Sequence, residues 1–373
     1  MSHRDATRCV HAGLPAPVPG QPFLPGPVFA APYHLNPEGH RPGDDGYGRT
    51  DNATVRRFEA ALGELEGGEA VAFASGMAAI SAVLLSLLRP GDTLIIPEDG
   101  YYLARRFAEQ NLTERGITVR SIPTAGPYPE AVLAEARLIL LESPANPGLD
   151  VCDIPALVER AHRHGAWVVV DNTTATPLGQ QPLELGADLT VASDTKALTG
   201  HSDLILGHVA GRDPQLIARL REWRTTTGAI PGPFETWLAH RSLGTLELRL
   251  SRQSDNAARV VEALAARPEV TRLRWPGRPE DPAYPIAQRQ MRRIPGVVTF
   301  ELPSEAYATR FLRACRLVTA ATSFGGLHTT ADRRAQWGEE VPGGLIRLSV
   351  GCEDPHDLIT DLNDAFDTAS RQS

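Results

Sequence analysis

Between residues 70 and 194, short apolar runs alternate with helical stretches, and this alternation constrains the fold more than any other feature of the chain. "AVAFAS" (70–75) precedes "GMAAISAVLLSLL", and "TLIIPE" (93–98) precedes "YYLARRFAEQNLTERG". "RLILLES" (137–143) precedes "DIPALVERAHRHG", and "AWVVVDNT" (166–173) and "LTVASD" (189–194) follow. Strands apolar on both faces and separated by helices specify a mostly parallel sheet covered on both sides, an α/β architecture. Ligands of such sheets sit at the carboxyl ends of the strands. The polar tails "ASGM", "ESPANP", "DNTTATP" and "SDTK" fall there.

The flanks read differently. Nine of the 31 prolines lie between Pro15 and Pro42, so the first 50 residues are expected to form an extended arm. "TVRRFEAALGELEGG" (54–68) is an amphipathic helix stopped by glycine. We expect the α/β domain over 51–235. A long helical pattern (234–267) then leads to "GVVTFELP", "LVTAATSFGG" and "LIRLSVG", a smaller α+β domain expected over 236–373. A length of 373 residues is generous for one core and agrees with this division.

Charge and cysteine content narrow the function. A net charge of −8 makes nucleic acid an unfavoured partner and leaves no basic face for a membrane. No apolar run approaches the ~20 residues of a membrane span, and the N-terminus lacks the apolar core of a signal peptide. A cytoplasmic location is expected. Cys9, Cys152, Cys315 and Cys352 are scattered, which reads as reduced structural thiols without a disulfide or metal site. His162 and His164 read as a solvated surface pair.

Lys196 is the only lysine in the chain; every other Lys or Arg residue is arginine. What lysine offers and arginine lacks is an amine that loses its proton and attacks a carbonyl. It follows the strand "LTVAS" and is flanked by Ser193 and Thr195. Asp171, at the end of "WVVVD", is either a helix cap or a functional charge. Ser75-Gly76-Met77 ends a strand and opens a helix, which makes either a plain tight turn or an anion site suited to phosphate. A lysine for an aldehyde, an acid for a pyridine nitrogen and a phosphate cradle together match pyridoxal phosphate, with Lys196 forming the Schiff base. No G-x-G-x-x-G opens a helix after a strand, so a dinucleotide is not indicated. Retention of Lys196 and Asp171 also argues against a non-catalytic binding relative.

"YGRTDNAT" (47–54), "LEGGEAVAFASGMAAI" (65–80), "ESPANP" (142–147), the stretch 168–203 and "LIRLSVGCED" (345–354) together resemble the trans-sulfuration family of pyridoxal-phosphate enzymes along nearly the whole chain. The resemblance implies a fold-type I, aspartate aminotransferase-like large domain and a smaller C-terminal one. It implies that Lys196 carries the cofactor and shuttles protons, and that Asp171 keeps the pyridine nitrogen protonated. Gly76, Met77, Ser193 and Thr195 would hold the phosphate. Tyr47 and Arg49 would reach the phosphate of a neighbouring subunit, making an active site shared between copies of a dimer or homotetramer. Tyr101 would stack on the ring and act as acid and base, with Arg106 nearby. Asn146, Ser323 and Arg347 would bind the carboxylate of an amino-acid substrate.

The implied activity is γ-elimination on L-cystathionine or a related γ-substituted amino acid, with γ-synthase, β-lyase and specialised C–S lyase as alternatives. Departures from the family pattern are also present. "GRTDNAT" lacks a usual proline, "YYLARR" (101–106) has Tyr102 and Leu103 where glycines are usual, and methionine γ-lyases carry cysteine where Leu103 stands. In "TSFGGLHTT" (322–330), His328 replaces a frequent glutamate, and the segment after it is short. His328 is either substrate-facing or a packing or solvent residue.

Overall fold

The computed structural model describes residues 3–39, 41 and 45–371. Residues 1, 2, 40 and 42–44 of the expected arm, and 372–373 of the expected C-terminal domain, lie outside the described residues. The large sheet has seven strands: β1 (Glu69–Phe73), β2 (Thr93–Pro97), β3 (Thr118–Ile122), β4 (Leu138–Glu142), β5 (Trp167–Asp171), β6 (Leu189–Ala192) and β7 (Gly207–Gly211). Their order is β1-β7-β6-β5-β4-β2-β3. All pairings are parallel except those of β7, which runs antiparallel to both β1 and β6.

Alternate strand residues feed two cores. Leu94, Ile96, Leu138, Leu140 and Val169 pack on one face with Ile80, Val83 and Leu84 of the helix Gly76–Leu87. Ile95, Ile139, Leu141, Val168 and Val170 pack on the other with Ile154, Leu157 and Val158 of the helix Ile154–Arg163. Each such side chain contributes roughly 1.5–3 kcal/mol relative to exposure. That two-sided burial is why the strands read as continuous apolar runs.

Two strands of this sheet, β3 and β7, are not among the apolar runs of the sequence. β3 reads "TVRSI" and is an edge strand, only one of its residues being buried. β7 reads "GHVAG" and is fully buried. Its glycines mark close approach, since a Cβ on Gly207 would lie 2.6 Å from Gly76 Cα and one on Gly211 2.6 Å from Leu189 Cδ2. His208 is buried between two carboxylates, with Nδ1 2.6 Å from Asp194 Oδ1 and Nε2 3.1 Å from Glu66 Oε1. Burial opposes its charge, but Asp194 and then Glu66 outweigh it and raise the imidazole to about 10. The imidazolium ties β7 to the helix Ala53–Glu66 and to the segment carrying Lys196.

The expected long helix is two, Pro233–Leu243 and Leu246–Ala265, broken at Gly244 and Thr245. The second sheet has five strands, β8 (Thr271–Arg274), β9 (Val297–Glu301), β10 (Thr319–Ala320), β11 (Thr330–Arg333) and β12 (Leu345–Ser349), in the order β10-β11-β12-β9-β8. Phe300, Phe311, Phe366, Val260 and Leu362 form its core with the helices Leu246–Ala265, Glu305–Ala314 and Pro355–Arg371. The N-terminal segment is not extended throughout. Asp5–His11 is helical, with Cys9 and the following Ala12 packed near Phe58 and Leu62. Beyond it, Phe23, Phe29 and Leu35 are exposed. Among the described residues no helix is long and apolar enough to cross a membrane.

Candidate active site

The carboxyl ends of β1, β4, β5 and β6 open on one cavity of about 440 Å³. β4 and β5 end level with each other, so Glu142 and Asp171 are register partners. Adjacent parallel strands place register partners on the same face, and two carboxylates therefore stand side by side. Asp171 Oδ1 accepts from Thr173 N at 3.0 Å. Burial raises its carboxyl, opposed by the Thr173 hydrogen bonds and by the positive charges of His208 and Lys196. Thr173 Oγ1 in turn accepts from Ser193 N at 2.8 Å, joining the ends of β5 and β6.

Lys196 sits on the turn after β6. Its neighbours are clamped by a buried cation: Arg249 donates to Ala197 O at 2.7 Å and to Leu198 O at 3.0 Å. Gly200, with φ of 68°, lies so close to this guanidinium that a Cβ there would be 1.9 Å from Arg249 Nη1. The Lys196 amine meets Ser323 Oγ at 3.0 Å and lies 5.6 Å from the Phe324 ring centroid. Burial lowers the amine from 10.5 to about 8, helped by the positive charges of Arg347 and Arg334. Ser323 has φ of 73°, a costly value for a non-glycine residue. In that conformation its hydroxyl serves Lys196 while its carbonyl accepts from Arg347 Nη2 at 2.9 Å.

At the mouth of the helix Gly76–Leu87, Ser75 caps Ala78 N at 3.0 Å. The Gly76 and Met77 amides have no intrahelical acceptor and stand at the positive end of the helix. Gly76 is required there, because a Cβ would lie 2.6 Å from Ser193 Cβ. Across the cavity, Arg347 is 3 % exposed and donates to Asn146 Oδ1 at 2.7 Å. Its register partner on β11 is Asp332, whose Oδ2 lies 3.4 Å from Nη2. Asp332 also accepts from Arg334 at 2.7 Å and from the Trp337 indole at 2.9 Å. Arg334 is paired with Glu339 as well.

The structure thus brings Lys196, Asp171, Tyr101, Gly76, Met77, Ser193, Thr195, Asn146, Ser323 and Arg347 to one cavity. Thr195 Oγ1 is engaged there with Leu206, donating to its carbonyl at 3.1 Å. Four expected residues are elsewhere. Tyr47 and Arg49 line a separate depression with Phe29, Arg224 and Pro231. Arg49 donates to Thr225 O at 2.8 Å and stacks over Tyr47. Arg106 is exposed and bonds Gln110 at 3.3 Å. His328 is exposed and does not line the cavity, because the turn that begins at Ser323 carries it outward toward β11. Glu142, Thr173, Arg334 and Trp337 line the cavity without having been singled out in the sequence.

A lone desolvated amine, a buried acid and a helix end with free amides form a donor set that fits pyridoxal phosphate. The family model described as Cys/Met metabolism PLP-dependent enzyme matches residues 30–367. The chain belongs to this family. The cofactor and the fold-type I architecture follow from membership. A Streptomyces coelicolor protein provisionally named a cystathionine gamma-lyase is 57% identical over 369 residues, covering 97% of this chain and 93% of its own. The cystathionine gamma-synthase of Mycobacterium tuberculosis is 39% identical over 374 residues, covering 97% and 96%. The structure of cystathionine gamma synthase from Xanthomonas oryzae pv. oryzae in complex with cystathionine matches with a TM-score of 0.95 at 32% identity, covering 100% of each chain.

The resemblance assigns cofactor attachment to Lys196, and the depressed amine gives that expectation a direct consequence. Attack on the cofactor aldehyde needs the unprotonated amine, whose fraction grows as pH rises through about 8. Cofactor uptake by the apoenzyme, followed by absorbance, should accelerate with pH and level off above about 8. A rise continuing toward 10.5, the value of an ordinary lysine, would contradict the desolvated setting.

Proposed function

We propose that the protein catalyses γ-elimination on L-cystathionine or a closely related γ-substituted L-amino acid. With water, the products are cysteine, 2-oxobutanoate and ammonia. The observation that carries this reading is the placement of the Lys196 amine, unprotonated in part at neutral pH, in the same cavity as the Arg347–Asn146 pair. Pyridoxal phosphate bound here supplies an electron sink for the substrate carbons next to the amine.

Asp171 holds a proton on the ring nitrogen, and the Gly76 and Met77 amides and the Ser193 hydroxyl hold the phosphate. Arg347 and Asn146 hold the substrate α-carboxylate, which orients Cα toward Lys196. The Lys196 amine, on its flexible stem, would take the Cα proton, give it up to the cofactor's electron sink and, neutral again, take a proton from Cβ. Tyr101 supplies a proton to the departing γ-thiolate. Burial raises its phenol, so it keeps its proton at neutral pH until a thiolate develops beside it.

A second reading is γ-replacement of an activated homoserine by cysteine. It is supported by the likeness to two γ-synthases, and it uses the same residues up to departure of the γ-substituent. Incubating holoenzyme with L-cystathionine alone separates the readings. Cysteine with 2-oxobutanoate supports elimination at Cγ, homocysteine with pyruvate moves the activity to Cβ, and no turnover favours the synthase.

Tyr47 and Arg49 lie away from their own cavity, which supports a site completed by a second copy. Mixing and reassembling inactive Lys196→Ala and Arg49→Ala subunits should then restore up to about a quarter of wild-type activity, since a hybrid dimer carries one intact site. No recovery in reassembled hybrids would contradict a shared site. The four free cysteines support a reducing, cytoplasmic setting.

A further inference from the structure

Glu142 takes no part in the chemistry just described, yet it is 6 % exposed and stands beside the Asp171 carboxylate. Two acids side by side in a buried site repel, and burial penalises each. A residue kept there under those conditions needs a compensating interaction, and the structure contains two. Glu142 Oε2 accepts from Tyr101 N at 2.6 Å, and Oε1 accepts from Asn146 N at 2.8 Å. Tyr101 opens the helix Tyr102–Phe107 beyond β2, whereas Asn146 lies on the loop after β4. The two loops converge on opposite oxygens of one side chain. Only a carboxylate accepts at both ends; glutamine would turn an NH₂ toward one of the amides. The chain also closes tightly over this group, since a Cβ on Gly100 would lie 2.7 Å from Oε2 and 2.7 Å from Pro97 Cγ.

We propose that Glu142 is a positioning residue that locks the backbone of Tyr101 to that of Asn146, fixing the proton donor and the α-carboxylate anchor relative to each other. The proposal rests on the roles given above to Tyr101 and Asn146. In an enzyme whose substrate is held at one end and protonated at the other, that spacing controls both binding and turnover.

The test uses cofactor-loaded Glu142→Gln, Glu142→Asp and Gly100→Ala. Aspartate keeps the charge but is too short to span both amides, and Gly100→Ala displaces the carboxylate while leaving its chemistry intact. Turnover of L-cystathionine is measured per bound cofactor, and binding of glycine, which has no γ-substituent, by spectral titration. Each variant should lose roughly tenfold or more in kcat and bind glycine roughly tenfold more weakly.

In a Tyr101→Phe background the kcat effect should shrink, and in an Asn146→Ala background the glycine effect should shrink. Wild-type kcat and glycine affinity in variants that merely unfold at lower temperature would overturn the proposal, as would fully additive double mutants. Should one variant fail to fold, the other two decide. If wild type proves inert toward cystathionine, the proposed activity fails while glycine binding still decides the role of Glu142.

Discussion

Replacing Lys196 with alanine should lower kcat by about 10⁴-fold or more while leaving the fold intact. General acid–base transfer by a positioned group contributes typically 10²–10⁴-fold, and Lys196 is asked to serve at two carbons as well as to anchor the cofactor. No other side chain can take over. Lys196 is the only lysine, and the arginines near it keep their protons. Among the described residues the amine bonds Ser323, and the Asp171 carboxylate keeps the Thr173 hydrogen bond and the His208 charge once the amine is gone. Circular dichroism and the thermal midpoint should therefore match wild type within a few degrees. Added methylamine should restore part of the activity if the missing function is a base. Activity within about tenfold of wild type would remove Lys196 from the centre of the mechanism.

Arg347→Leu should cost about 2–5 kcal/mol in kcat/KM, the range for deleting one partner of a buried charge pair. The loss should fall chiefly on KM, because the α-carboxylate is bound in the ground state and transition state alike. Stability should suffer less. Asp332 would keep Arg334, the Gln336 amide and the Trp337 indole as donors after the guanidinium is gone. Arg347→Lys should recover only part of the loss, since an ammonium cannot span both carboxylate oxygens. Steady-state kinetics with L-cystathionine and with its α-carboxamide separate the effects. The carboxamide should discriminate poorly between wild type and variant. Equal losses for acid and amide would assign Arg347 a structural role.

Asp171, Ser193, Lys196 and Gly76 were legible from the residues themselves, as polar or glycine positions at or within a few residues of the end of an apolar strand. Asn146, Tyr101, Ser323 and Arg347 were legible through the family resemblance. Glu142 holds a strand-end position too, at the head of "ESPANP", but its role depends on two backbone amides that only the folded chain brings together. Arg334 and Trp337 carry no local signal. They reach the cavity because β11 pairs with β12 in a register that sets Asp332 opposite Arg347. β7 was illegible for a related reason: its burial rests on glycines packed against Gly76 and Leu189 and on a histidine held by two acids, none of which reads as a strand. Tyr47 and Arg49 fit the family pattern by position, and the fold of one chain places them outside its own cavity.

The central claim is that the chain's one lysine, at the end of β6, holds the cofactor. Borohydride reduction of the holoenzyme followed by peptide mapping tests it directly. A single modified peptide containing Lys196, in about one equivalent per chain, is the result expected. Cofactor released on denaturation after reduction, or fixed instead to the N-terminal amine, would contradict it.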